Sequence, residues 1–368
     1  MWSYLPYLRL TKSPTNVKSW QETLHLFHTS CKIQCASSKS QSMRGFLRLC
    51  LATLVAMSHT LYLGSVNIGM SAVVVFYMLA GYVVTHLLHK HFPPSRLLWF
   101  YAERLLRIFP LYLVLLSTVA LFLYSTKFNA PRFTATNIFA NLTIVPLNYF
   151  MYFKVDVIRN YGILLPAWSL GAELQAYAVL PLIIRSLPIK WIVGLVSLCV
   201  FSTSALKIID PDIWGYRLIP GIIYIFLTGS AICRSTKNTD SADAFDHTFP
   251  IICWVWLLIL LVGLYVSHYL HPATAATILG FLIGMPIVQY ASSSSIRLPF
   301  DAVMGQISYG VFLIHMPIAW IFEFFVGRSP VEMSDFIIII IISIVVSAGY
   351  TLPIDHFIWP LRKSITKA

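Results

Sequence analysis

The stretch "RLCLATLVAMSH", residues 48–59, sets an arginine and a histidine at the two ends of ten mostly apolar residues. Both side chains are expensive in or beside a membrane, so what surrounds this stretch decides how the rest of the chain is read. The composition answers first. Hydrophobic residues make up 58% of the 368-residue chain and charged residues 11%, with a mean hydropathy of +0.75. A soluble chain of this length would suggest two domains, whereas this composition points to one all-α, polytopic transmembrane bundle. A transmembrane helix needs about 20 apolar residues. The hydropathy pattern predicts about ten such spans, over residues 46–63, 67–88, 105–126, 167–187, 190–207, 217–234, 251–270, 274–291, 302–325 and 335–359.

A net charge of +12 could suggest nucleic acid. The Lys and Arg residues, however, are scattered through short loops without any nucleic-acid-binding motif, so no such partner is expected. Their placement reads as topology instead. With the N-terminus inside, the inward segments carry Lys12, Lys18, Lys32, Lys39 and Arg44, then Lys90, Arg96, Arg104 and Arg107, then Arg185, Lys190, Arg234, Lys237 and Arg297, and finally Arg362, Lys363 and Lys367. The outward segments hold Asp156, Asp210, Asp212, Glu332 and Asp335. The positive-inside rule therefore puts both termini in the cytosol, and ten spans fit that parity.

Residues 1–44 form a polar, basic preamble lacking the pattern of a cleaved leader, and read as a cytosolic tail before a membrane domain of residues 45–368. Six cysteines, at 31, 35, 50, 199, 233 and 253, sit mostly in apolar runs or on the inward side, which argues against a disulfide framework. Cys31 and Cys35 have no second Cys/His pair at metal-binding spacing, so no metal site is expected. Asn141-Leu142-Thr143 is a glycosylation sequon on a predicted external loop.

Polar residues inside the spans carry the functional signal. If residues 48–59 are helical, eleven steps bring His59 within roughly 20° of the face of Arg48, about 16 Å further along the axis. Arg48 reads either as a snorkelling anchor or as part of a site. His59 lies well along the span, where an imidazole suits a general base or nucleophile, or else is a packed, hydrogen-bonded residue. In "FYAERLLRIFPLY", residues 100–112, Arg104 and Arg107 are three apart and share a helical face at the cytosolic mouth of the third span. Two guanidiniums there make a fork for phosphate or carboxylate, or an anchor to anionic lipid, with Glu103 beside them offsetting part of the charge. In "PAWSLGAELQAY", residues 166–177, Trp168 and Ser169 enter a span, Ser169 in position to cap it, and Glu173 lies one turn deeper on the same side. A carboxylate at that depth calls for a task or an arginine partner. In "ISYGVFLIHMP", residues 307–317, Ser308, Tyr309 and His315 are set in an apolar helix and suit interhelical hydrogen bonding.

Taken in order, these four stretches resemble the membrane-bound acyltransferase family 3. Its members share a basic residue and a downstream His in the first span, an Arg-x-x-Arg pair before the third, a "WSLxxE" stretch and a late "SYxxYLxH" stretch. Here they read as Arg48 and His59, Arg104 and Arg107, Trp168-Ser169-Leu170 with Glu173, and Ser308-Tyr309 with His315, Phe312 standing for the second Tyr. The run "IGMSAVVVFYMLAGYVV", residues 68–84, resembles the family's second span with its "FFxxSGF" core, departing from it at Ala80 and Tyr82.

What the resemblance implies is O-acylation, usually O-acetylation, of a carbohydrate hydroxyl. Acetyl-CoA or another acyl-CoA would be the co-substrate on the cytosolic side, with no bound cofactor, in a multi-pass protein of the bacterial inner membrane. Arg48, Arg104 and Arg107 would hold the donor. His59 would deprotonate the acceptor or carry the acyl group, and Glu173 would orient or charge His59 or an arginine. Trp168, Ser169, Ser308, Tyr309 and His315 would support the site. This requires the imidazole and the guanidiniums to line one cavity. The competing expectation is a transporter or flippase for a glycan-linked lipid, although the two corresponding halves common among transporters are not evident.

Overall fold

The structure is a computed structural model that describes residues 43–61, 67–128, 133–152, 162–236, 242–294, 296, 298–330 and 332–367. The tail up to residue 42, with Cys31 and Cys35, lies outside the described residues, as do Asp156, Lys237 and Arg297. All regular structure among the described residues is helical. The helices are α1 (Arg44–Thr60), α2 (Ile68–Lys90), α3 (Leu97–Thr126), α4 (Ala135–Thr143), α5 (Ala167–Ile183), α6 (Leu187–Ala205), α7 (Ile219–Thr236), α8 (Ala244–Val266), α9 (Pro272–Ser293), α10 (Asp301–Val326) and α11 (Met333–Lys367). Ten of these fall on the ten predicted spans, and α4 is a short addition between α3 and α5.

Eight of the ten are long and apolar enough to cross a membrane. The exceptions, α1 and α5, have 17 residues each, just under the usual span length. They are the two helices that carry Arg48, His59 and Glu173. The third span starts earlier than hydropathy suggests, at Leu97 after a 3-10 turn at Pro94–Arg96, so Arg104 and Arg107 lie within the helix rather than ahead of it, and Pro110 is interior. The last runs on to Lys367.

Helices α2 and α7 form the middle of the bundle. Of the most apolar windows of these two, 72% and 83% respectively are buried, against 28% for α8 and α11, whose apolar side chains face outward. In lipid, helices associate through close van der Waals contact more than through hydrophobic exclusion. The α2/α7 crossing depends on Gly81 and Gly229. A Cβ on Gly81 would fall 2.0 Å from the Phe226 carbonyl oxygen, and one on Gly229 would fall 1.9 Å from that of Met78. Thr85 Oγ1 donates to Ser230 Oγ across the same seam at 2.8 Å.

Helices α1 and α10 run parallel from a shared start. The backbone N–H groups of Gly45 and Phe46, orphaned in the first turn of α1, donate to the buried Asp301 carboxylate at 3.1 and 2.8 Å. At the same end, the start of α3 meets the end of α11, where Arg96 Nη2 donates to the Ile365 carbonyl at 2.6 Å. The sequon is no surface acceptor. Asn141 is 1% exposed, its Nδ2 donates to Asn137 O at 2.8 Å and its Oδ1 accepts from Ile163 N at 2.9 Å. Cys50, Cys199 and Cys253 form no disulfide among the described residues.

Candidate active site

Between α1, α2, α3, α5 and α10 lies a cavity of about 800 Å³, its open mouth included. Arg48, Arg104, Arg107 and Glu173 line it, with Ser169, Ser308 and Tyr309. Four segments far apart in sequence thus converge on one space.

The guanidiniums are held unequally. Arg104 is buried, donates from Nε to Glu103 Oε2 at 2.6 Å and lies 5.9 Å over the Tyr177 ring. Glu103 also accepts from Arg362 of α11, Nη2 at 2.7 Å and Nε at 3.1 Å, so one buried carboxylate joins two guanidiniums. Arg107 donates to Asp355 Oδ2 at 3.0 Å. Arg48 is half-buried and forms no hydrogen bond or ion pair among the described residues. Of the three cavity arginines, it is the one with no carboxylate in contact, Glu173 acting on it only across the cavity. The lipid-anchor reading of Arg104 and Arg107 does not hold, because both face the cavity and pair with acids inside the bundle.

Glu173 accepts a hydrogen bond from Tyr177 Oη, one turn on. It therefore belongs to the arginine cluster, linked to Arg104 through Tyr177, and the alternative of a contact with His59 is not what the structure shows. Ser169 does not cap α5. Pro166 occupies the cap position, and the Ser169 hydroxyl donates to the Pro166 carbonyl at 2.9 Å. Ser308 donates to Gly305 O at 3.0 Å, while Tyr309 Oη reaches across to Ile108 O of α3 at 3.2 Å, tying α10 to α3 just before Pro110. These hydroxyls fix the cavity walls.

His59 and His315 form a second centre. Their rings stack with centroids 5.5 Å apart and an interplanar angle of 26°. His315 is fully buried. Its Nδ1 lies 3.2 Å from Val311 O, and since a carbonyl can only accept, Nδ1 carries the proton and Nε2 is left as a bare acceptor. His59 is exposed in the last turn of α1 and forms no hydrogen bond among the described residues. Neither imidazole lines the arginine cavity. Phe76 and Phe312, edge to face at 5.7 Å, stand on its wall, and Phe312 lies 6.4 Å from His315. The expected single chamber is instead a cavity and an imidazole pair separated by an aromatic partition, because Phe312 sits between Ser308 and His315 on α10 and projects into the gap.

Trp168 points away from the cavity. Its ring carries the guanidinium of Arg217 at 4.4 Å and meets Tyr216 edge-on at 5.4 Å, while Arg217 pairs with Asp212 at 2.8 Å. Sequence reading missed Arg217, Asp355 and the acceptor role of Asp301. Asp355 had a usable signal, an acid inside the last apolar run and seven residues, or two turns, before Arg362.

Residues 45–352 match acyltransferase family 3, described as an acyltransferase domain. A protein of Aquifex aeolicus (strain VF5), described as uncharacterized, is 33% identical over 208 residues, which cover 55% of this chain and 90% of that relative. No solved structure matches the chain.

Proposed function

The chain belongs to acyltransferase family 3, and from that premise we propose that this multi-pass membrane protein transfers an acetyl group from acetyl-CoA to a carbohydrate hydroxyl. The observation that carries the reading is the convergence of Arg48, Arg104, Arg107 and Glu173 on one cavity, with Arg48 lacking a carboxylate partner. A guanidinium held half-buried without an acid is stabilised by an anionic ligand, and the phosphates of CoA supply that charge. The arginine end is the cytosolic end, both termini are cytosolic, and the host membrane is a bacterial inner membrane.

His59 stands about 16 Å along α1 from Arg48, exposed, with neither ring nitrogen hydrogen-bonded among the described residues. A sugar hydroxyl reaching His59 from the far side would meet an acyl group threaded from the cavity past Phe76 and Phe312. In direct transfer, His59 takes the hydroxyl proton, the oxygen attacks the thioester carbonyl, and CoA leaves as the thiolate and takes up the proton. In the two-step variant the imidazole attacks first, CoA leaves as the thiolate and takes the ring proton, and the hydroxyl then attacks the acyl-histidine, its proton returning to the freed imidazole. The stacked His315 positions the His59 ring, and Glu173 with Tyr177 orients Arg104 toward the donor.

Membranes carrying the protein, given radiolabelled acetyl-CoA, are expected to release CoA and build an alkali-labile ester on glycan. His59→Ala is expected to abolish this while lowering the thermal midpoint by no more than about 2 °C, since the side chain is exposed, makes no hydrogen bond and loses only its stack on His315. Wild-type turnover in that variant would remove His59 from the chemistry. Label retained on the protein without acceptor, and lost in His59→Ala, selects the two-step variant.

A further inference from the structure

Tyr77 lies near the middle of α2 on the cavity wall, beside Phe76. Only 3% of the residue is exposed, its ring stacks on Phe226 at 4.9 Å, and its hydroxyl is buried without a hydrogen-bond partner among the described residues. A buried hydroxyl left unsatisfied lowers stability relative to phenylalanine, which would keep the stack and lose only the oxygen. The hydroxyl is therefore a cost to the fold unless something entering the cavity accepts its proton.

The surroundings narrow what that acceptor is. On its side of the cavity Tyr77 has Val73, Phe76 and Ala80, with Phe312 edge-on to Phe76 from α10; Tyr216, Arg217 and Glu173 act on its hydroxyl electrostatically, but none hydrogen-bonds to it. A sugar would need several polar partners at such a wall, whereas a small acyl group needs one donor for one carbonyl oxygen and apolar contact elsewhere. The level also fits. Phe76 and Phe312 separate the arginines from the imidazole pair, which is where the thioester of a donor gripped by the arginines would come to rest.

Phe312, on the α10 wall of the same cavity, carries no hydroxyl, so the α2 wall supplies the donor at this level. We infer that the Tyr77 hydroxyl donates a hydrogen bond to the carbonyl oxygen of the acyl thioester, holding the acyl group at the aromatic partition. The inference rests on the acyl-CoA reading above.

Calorimetric binding of acetyl-CoA and of CoA to the full chain in detergent tests it. Tyr77→Phe is expected to weaken acetyl-CoA about fivefold, the worth of one neutral hydrogen bond, and to leave CoA, which has no such carbonyl, unchanged. Tyr224 supplies the control, being a second buried, unbonded phenol away from the cavity, and Tyr224→Phe is expected to change neither affinity. Both variants should melt at or above the wild-type temperature, which a structural role for either hydroxyl would not allow. Phe312→Tyr added to Tyr77→Phe returns a hydroxyl to the cavity and is expected to recover acetyl-CoA affinity. An unchanged acetyl-CoA affinity in Tyr77→Phe overturns the assignment alone, whereas a wild-type protein that binds neither nucleotide overturns the acyl-CoA reading and the assignment with it.

Discussion

Truncating Glu103 to alanine withdraws the carboxylate on which two guanidiniums converge. Glu103 is 2% exposed and takes Arg104 at 2.6 Å and Arg362 at 2.7 Å. At an effective dielectric near 20, unit charges about 4 Å apart attract by about 4 kcal/mol, and the cost of desolvating each ion returns most of that gain. The penalty of truncation comes from what it leaves behind. Arg104, 8% exposed, would keep its charge with only the Tyr177 ring and hydroxyl in contact and Glu173 beyond them, the situation that costs about 3–5 kcal/mol when one partner of a buried pair is removed. The Arg104 and Arg362 side chains are 10% and 15% exposed, enough for some hydration, so the lower end, about 3 kcal/mol, applies. Arg362→Ala leaves Glu103 with Arg104 and should cost about 1.5 kcal/mol, the worth of a charged hydrogen bond. Because that contact is already lost in Glu103→Ala, the double variant should cost about 1–1.5 kcal/mol less than the two singles together. Thermal unfolding of the detergent-solubilised protein, at roughly 2 °C per kcal/mol, should show drops of about 6 °C and about 3 °C for the singles and about 6–7 °C for the double. Additive shifts, or a drop under about 1 °C for Glu103→Ala, would refute the shared carboxylate.

At the α2/α7 crossing, Gly229→Val sets a Cβ 1.9 Å from the Met78 carbonyl oxygen and 3.0 Å from Tyr82 N. Backbone cannot step aside as a side chain can, so a loss above about 4 kcal/mol is expected, seen as failure to elute as a single species. Gly263→Ala, with nothing within 4 Å of its Cβ, should elute and melt as wild type. Near the start of α8, burial pushes the Asp243 carboxyl up, but the hydrogen bond and charge of Lys190 at 2.5 Å outweigh it and hold the carboxyl below its ordinary range. A lowered folded-state value means a stabilising contribution present in full above the unfolded carboxylate value near 3.9 and lost as pH falls through the folded value. Thermal midpoints should therefore decline more steeply below about pH 5 in wild type than in Asp243→Asn, and parallel acid limbs would refute the pairing.

Element positions were legible because lipid imposes a simple rule, about 20 apolar residues per crossing, and Leu, Ile, Val and Phe dominate these runs. The rule erred where charges are paired. It places the third span at residue 105 since Glu103 and Arg104 each count against burial, yet Glu103 joins Arg104 to Arg362, and α3 continues back to Leu97. Hydropathy sums residues one at a time and has no term for a partner 259 positions away. The arginines and Glu173 were legible as site candidates for the same reason in reverse, because an ionisable group in an apolar run must be satisfied by something. Their partners, Asp355 from α11 for Arg107 and Tyr177 from α5 for Glu173, were not read out, nor was the pairing of Arg362 with Glu103.

The order of apolar runs and their interruptions by Arg48, His59, Arg104, Arg107, Glu173 and His315 alone determined a multi-pass helical bundle and which side chains demanded an explanation, because burial of charge is costly wherever the chain happens to pack. Tertiary structure decided which of those side chains meet. It joined Arg48, Arg104, Arg107 and Glu173 around one cavity, left Arg48 without an acid in contact, stacked His59 on His315 and set Phe76 and Phe312 between the two groups. Those outcomes depend on helix rotation and crossing depth, fixed by contacts such as Gly229 against Met78 and Asp301 on the first turn of α1, and no local pattern of residues encodes a contact between helices distant in the chain.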